Sequence, residues 1–154
     1  MPWETGVNSI ALDETGYIIY YASTLEDKLF TVPTKLIRKP SISTEEVEAH
    51  VFAGGPKTVS ESIVTDKYGR IFLTDFEHSS IAIIETNNAW NLKNLIQDEI
   101  LRWPYGISIA NGYLYVTCSA FNHLIDDNVT GHEPFHIVKI NIQAIDSTNT
   151  IKEL

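Results

Sequence analysis

Cysteine is almost absent from this chain of 154 residues. Cys118 stands alone, so no disulfide can form within the chain and the fold must be held by apolar packing. It follows Tyr115-Val116-Thr117 in a strand pattern, where a buried, inert thiol is expected rather than a nucleophile. Long apolar runs are missing too: nowhere do about 18 apolar residues follow one another, so no membrane-spanning helix is expected. Met1-Pro2-Trp3-Glu4 is not the charged-then-apolar opening of a signal peptide, which leaves the compartment unassigned. Positive charge is scarce. With 11 Lys and Arg against 20 Asp and Glu, the net charge is -9, the wrong sign for a nucleic-acid partner, whose phosphates require a basic face. The local basic cluster of Lys28, Lys35, Arg38 and Lys39 reads as a solvated loop. No Gly-x-Ser-x-Gly, phosphate-binding loop or GxGxxG occurs, so serine hydrolase, NTPase and dinucleotide readings lack their motifs.

What is present is β-rich and repetitive. Hydrophobic residues make up 44% and charged residues 20%, the composition of one soluble globular domain. Val59 to Asp75 reads V-S-E-S-I-V-T-D-K-Y-G-R-I-F-L-T-D: a short strand, a D-x-x-G turn and a second strand. A version of it precedes, with Gly6 to Leu12, a turn at Asp13-Glu14-Thr15-Gly16, and Tyr17 to Tyr21. Another follows, from Trp103 to Ile109, Asn111-Gly112, and Tyr113 to Thr117. Gly16 supplies the positive φ its turn needs, and Asn-Gly between two such runs is a strong hairpin signal. Lys28 to Val32, Ser80 to Glu85, Leu92 to Ile96 and Phe135 to Ile142 read as further strands, and Val51-Phe52-Ala53 as an outer strand broken by Gly54-Gly55-Pro56. Ser43-Thr44-Glu45-Glu46 has the spacing of a capping box, which places one short helical excursion through about His50.

Ile10, Ile63 and Ile107 recur roughly 40 to 50 residues apart, the first interval lengthened by that excursion, and several strands per repeat at this period mark a β-propeller blade. The expected fold is therefore all-β, a propeller fragment of about three blades. Its units run over about 6–56, 57–100 and 101–145, within a partial propeller of residues 1–145 followed by a frayed tail at 146–154. Propellers close with roughly four to eight blades. Three blades leave two apolar faces bare, so the expected partner is a missing propeller half, or another copy through self-association. The Tyr residues at 17, 20, 21, 113 and 115 are expected to fill the core and the spaces between blades.

Other clusters carry weaker chemistry. Asp75-Phe76-Glu77-His78 puts two carboxylates and an imidazole at a strand end, suited to acid/base work or a cation; the structural alternative is Asp75 capping the turn with Glu77 and His78 on an exposed loop. His132 and His136 have H-x3-H spacing, but Pro134 prevents the helix a zinc site would use. Asp126-Asp127-Asn128 lacks the Gly and distal Glu of an EF-hand loop. Asn128-Val129-Thr130 fits the glycosylation triplet, which matters only in a secreted eukaryotic protein.

The stretches W-E-T-G-V-N-S-I-A-L-D at Trp3 to Asp13, L-F-T-V-P-T-K-L-I-R at Leu29 to Arg38, V-S-E-S-I-V-T-D at Val59 to Asp66, I-F-L-T-D-F-E-H-S-S-I at Ile71 to Ile81 and L-R-W-P-Y-G-I-S-I at Leu101 to Ile109 resemble the yellow and major royal jelly protein family, particularly its bacterial members. More distantly they resemble the gluconolactonase and regucalcin propellers. The resemblance runs from about Trp3 to Ile142 and covers the C-terminal half of a six-bladed family member, whose full-length relatives are often secreted or periplasmic. It implies that the residue opening each inner strand faces a central channel, where such residues jointly hold a divalent cation or a polar ligand. On this chain those positions are Asn8, Glu61 and Tyr105, with Asn8 and Glu61 as the metal candidates for calcium or magnesium. Glu61 stands where the relatives carry Asp, and Tyr105 where they carry a carboxylate; a phenol titrating near 10 does not replace one at neutral pH. The implied function is binding of a small polar or amine-bearing molecule in the channel of the complete ring. The alternatives are a metal-dependent lactonase-type hydrolase and a structural or oligomerising piece without a ligand.

Overall fold

A computed structural model of the chain describes residues 6–119, 121, 123, 135–143, 145 and 151–153. Three four-stranded antiparallel sheets follow one another along the sequence. The first holds β1 (Val7–Leu12), β2 (Ile18–Ser23), β3 (Lys28–Pro33) and β4 (Phe52–Pro56). The second holds β5 (Ile63–Thr65), β6 (Arg70–Asp75), β7 (Ser80–Glu85) and β8 (Asn91–Gln97). The third holds β9 (Pro104–Ala110), β10 (Tyr113–Cys118), β11 (His136–Asn141) and β12 (Ile151–Glu153). Each sheet is a meander with its strands in sequence order, and the first strands β1, β5 and β9 pack side by side. This is a β-propeller architecture: three whole blades, each built from its own stretch of chain, with the inner strands converging on one axis.

Alternation along the strands decides what lies between blades. Tyr20, Ala22 and Leu29 of the first blade are buried with Ile63, Ile71, Leu73, Ala82 and Ile84 of the second. Phe72, Ile81, Ile83 and Leu95, on the other face of the second blade, are buried with Leu114, Val116, Val138 and Ile140 of the third. The middle blade is thus covered on both faces, and every residue of β7 from Ser80 to Ile84 is buried. Turn chemistry sets the registers: Gly16, Gly69 and Gly112 have φ of 71°, 76° and 80°, a region open to glycine at little cost.

Four expectations need correction. The Gly54-Gly55-Pro56 segment does not break the outer strand; it belongs to β4, with Gly55 opposite Leu29. The reason is Trp90, which packs so close to this strand that a Cβ on Gly54 would come within 2.4 Å of its ring. The helical excursion is two short helices, α1 (Thr34–Ile37) and α2 (Thr44–Glu48), the second capped by Ser43 Oγ accepting from the Glu46 amide at 3.2 Å. The inner strand of the second blade is shorter than Val59 to Thr65, because the backbone ahead of Ile63 bonds a side chain instead of a ladder. The tail does not fray at Ile151–Glu153, which pair with Val138 to Ile140 and give β11 a partner on its outer edge.

The Trp90 contact yields a prediction. Gly54→Ala should destabilise the chain by about 1–3 kcal/mol, the usual cost of overpacking, read from the midpoint of urea unfolding; an unchanged midpoint would show that Trp90 is free to move aside.

Candidate functional site

Where β6 ends and the loop ahead of β5 begins, the first two blades are joined by buried polar side chains. The Thr74 hydroxyl, fully buried at the end of β6, accepts from the amides of Glu61 and Ser62 at 3.1 Å each. The Thr74 amide donates to the Ser62 carbonyl at 3.1 Å, and Thr58 Oγ1 donates to the Thr74 carbonyl at 3.3 Å. One threonine therefore substitutes for the missing ladder and fixes the backbone that carries Glu61. The Ser60 amide donates to the Thr24 carbonyl of the first blade at 3.2 Å, which ties the same loop across the blade boundary.

On this platform Asn8 and Glu61 meet. Asn8 Nδ2 donates to Glu61 Oε2 at 2.8 Å, and Thr24 Oγ1 approaches the same oxygen at 3.5 Å. Two residues from neighbouring blades, 53 positions apart in sequence, thus share one hydrogen bond. Tyr105 opens β9 with its side chain 52% exposed, and among the described residues no hydrogen bond links it to the pair.

A lysine that sequence reading passed over lies beside this pair. Lys57 is buried in the link between the first two blades; its Nζ donates to the carbonyls of Thr24 at 3.1 Å and Thr58 at 2.7 Å. Burial pushes its amine down to about 8, against the opposing pull of Glu26, Asp27, Glu61 and Asp75. The only sequence signal was a lysine directly after Gly-Gly-Pro, where a charge in a blade link has few places to go but inward.

Asp75 is buried at the end of β6 and faces the same side as Leu73, toward the first blade. It accepts from the His78 amide at 3.2 Å and lies 2.9 Å from His78 Nδ1, a turn cap with an imidazole folded back on it. The hydrogen bond to Asp75 holds the His78 pKa above its ordinary value. Ligand atoms of Asp75, Glu77 and His78 lie within 4.8 Å of one another, a set of the type that can hold a divalent cation. Next to it, Phe76 stacks on Trp103 at 4.5 Å between ring centroids, and Phe121 adds a third ring at 5.7 Å. Trp103 has a φ of 41°, and its indole N–H is buried without a hydrogen-bond partner among the described residues. Strain of this type costs of order 1–3 kcal/mol and collects at functional surfaces.

A cation held by Asn8 and Glu61 would have to displace the hydrogen bond between them, in which Asn8 turns its N–H donor rather than its oxygen toward Glu61; calcium takes six to eight oxygen ligands. Cys118 is buried, and burial pushes its thiol up to about 11, the environment of an inert thiol. Asp126-Asp127-Asn128, the Asn128-Val129-Thr130 triplet and His132 lie outside the described residues; His136 sits in β11. Among the described residues no helix is long and apolar enough to cross a membrane.

The sequence profile described as major royal jelly protein matches residues 1–151. The chain belongs to the major royal jelly protein family. No curated protein matches this royal jelly family chain in sequence, but its fold recurs in solved structures. It is similar to a chain of the nidogen/laminin complex (15% identity, TM-score 0.63), covering 97% of this chain and 49% of that one. It is similar to a chain of Kuenenia stuttgartiensis hydrazine synthase (15% identity, TM-score 0.61; 94% and 35% covered). It is also similar to virginiamycin B lyase from Staphylococcus aureus (15% identity, TM-score 0.59; 99% and 42% covered). At such identities the likeness concerns the fold, and the chain spans half or less of the length of each structure it matches.

Two predictions follow from the platform. Thr74→Val should cost about 1–3 kcal/mol, because two amide donors lose their acceptor, while Thr74→Ser stays near wild type; equal losses in urea unfolding would mean that the methyl, not the hydroxyl, matters. Lys57 holds its proton to higher pH in the unfolded chain, near 10.5, than in the fold, near 8. Its contribution should therefore make stability rise between about pH 8 and pH 10.5, a rise that Lys57→Met removes; an identical pH profile for the variant would contradict the buried amine.

Proposed function

We propose that this major royal jelly family chain contributes the Asn8 and Glu61 side of a channel site that takes a small polar ligand bearing an amine. The observation that carries the reading is the 2.8 Å bond from Asn8 Nδ2 to Glu61 Oε2. It holds a carboxylate in place at the channel end, on a loop already fixed by Thr74, and a positioned carboxylate is the natural partner of an ammonium group. Glu61, Asp75 and Glu77 set three carboxylates against the Lys57 ammonium and the His78 imidazole, so the local field favours a cation. Phe76, stacked on Trp103, directly follows Asp75, and ring surface beside a carboxylate suits a cation with an aromatic body.

A divalent cation has weaker support. Asp75, Glu77 and His78 are the donor set in question, but calcium and magnesium prefer oxygen to an imidazole, and Asp75 is already engaged by His78.

Phenethylamine and phenylacetate differ in charge but share a ring, and they separate the possibilities. Phenethylamine should raise the thermal midpoint of the wild-type protein, phenylacetate should not, and Glu61→Gln should abolish the amine's effect. Equal shifts from both compounds, or an unaltered shift in Glu61→Gln, would contradict the reading.

A further inference from the structure

A cleft of about 940 Å³ opens between the second and third blades. It lies where β5 and β9 end, and so at the opposite end of the inner strands from Asn8 and Glu61. Its walls come from these two blades alone: Lys67, Tyr68 and Arg70 on one side, Ser108, Ile109 and Gln143 on the other. Strand alternation sends both Arg70 and Phe72 toward the third blade. Phe72 is enclosed by the core there, whereas Arg70 lies at its edge, with its guanidinium carbon 5.5 Å from the Phe72 ring. On the facing wall the Gln143 amide lies so close to Gly112 that a Cβ there would come within 2.2 Å of it.

The carboxylates of the cleft are already engaged. Asp66 accepts from the amides of Tyr68 and Arg70 at 2.9 and 3.0 Å and from Arg70 Nε at 2.7 Å. Glu85 accepts from Lys93 Nζ at 2.7 Å and from Asn88 Nδ2 at 3.3 Å. Its cations are not. Lys67 makes no ion pair among the described residues, and its ammonium lies 5.0 Å from the centroid of the Tyr68 ring. The Arg70 guanidinium lies 5.3 Å from the same ring and gives its Nε to Asp66, which leaves its terminal nitrogens as donors. Tyr68 is 65% exposed, an open ring surface with two cations beside it.

We propose that this cleft binds a phosphate monoester carried on a flat ring system, of the nucleoside monophosphate type. Such a phosphate has a charge of about −1.5 to −2 at neutral pH and three acceptor oxygens. It answers both cations, Arg70 as a fork of donors and Lys67 as a point charge; a single carboxylate would leave one of them unanswered. The ring of the ligand stacks on Tyr68, a contact open to any base because each has a π face. Asn87, Ser108 and Gln143 offer amide and hydroxyl groups to the sugar between ring and phosphate. The volume of the cleft is that of a small-molecule site. The net charge of -9 does not preclude an anion here, since charges beyond the Debye length of about 8 Å are screened at physiological salt.

Calorimetric titration of the chain with adenosine monophosphate, adenosine and inorganic phosphate tests this. Neither Asn8 nor Glu61 is involved, so the outcome is independent of the amine-binding reading. The nucleotide should bind, and adenosine and phosphate should each bind at least about tenfold more weakly. Lys67→Gln and Tyr68→Ala, both on an exposed turn, should each weaken the nucleotide by about tenfold while leaving the far-ultraviolet circular dichroism unchanged. No binding of the nucleotide would overturn the proposal. So would phosphate binding as tightly as the nucleotide, because an adventitious anion needs no ring, and so would a Lys67→Gln variant that binds like the wild type. Should either variant fail to fold, the comparison of nucleotide, adenosine and phosphate on the wild-type chain still decides.

Discussion

Burial of flat sheet faces against one another is the constraint on which everything else in this molecule depends. Without a disulfide, the chain is held by aromatic and aliphatic residues that project alternately from each four-stranded sheet, Tyr20 and Phe72 forward, Ile71 and Leu73 back. A fully buried side chain of this size contributes about 1.5–3 kcal/mol relative to leaving it in water, and the middle blade collects such residues on both faces. The outer blades collect them on one face only.

Polar residues gather where the blade faces end. Thr74 closes the second blade and, through its hydroxyl, fixes the loop of Glu61; Thr24 and Lys57 fix the same loop from the first blade. A hydrogen bond to a buried amide is worth little in net terms but is costly to remove, so this loop has little freedom. Glu61 is thereby a positioned carboxylate rather than a mobile surface charge, and Asn8 meets it from a separate blade. Preorganisation of this type favours recognition of a charged ligand over mere attraction of one.

Much of the architecture was legible in the sequence because its signals are local. The D-x-x-G and Asn-Gly turns at Asp66, Asp13 and Asn111, the β-branched runs that follow them, and the recurrence of Ile10, Ile63 and Ile107 encode blades directly. What stayed hidden depends on distant partners. Gly54 and Gly55 read as a strand break until Trp90, in another blade, is seen to require them. Ile151–Glu153 read as a tail because three residues carry no pattern of their own, and become a strand only when β11 offers an edge. At the channel, the family resemblance singled out Asn8, Glu61 and Tyr105, but not that Asn8 and Glu61 would satisfy each other. Nor did it single out Lys57, whose place depends on carbonyls in two other segments.

Packing of one blade face on the next holds this fold together, and Phe72, fully buried between the second and third blades, reports on it most directly. Phe72→Ala should lower the unfolding free energy by about 3–5 kcal/mol in urea; a loss near zero would contradict packing between blades as the source of stability.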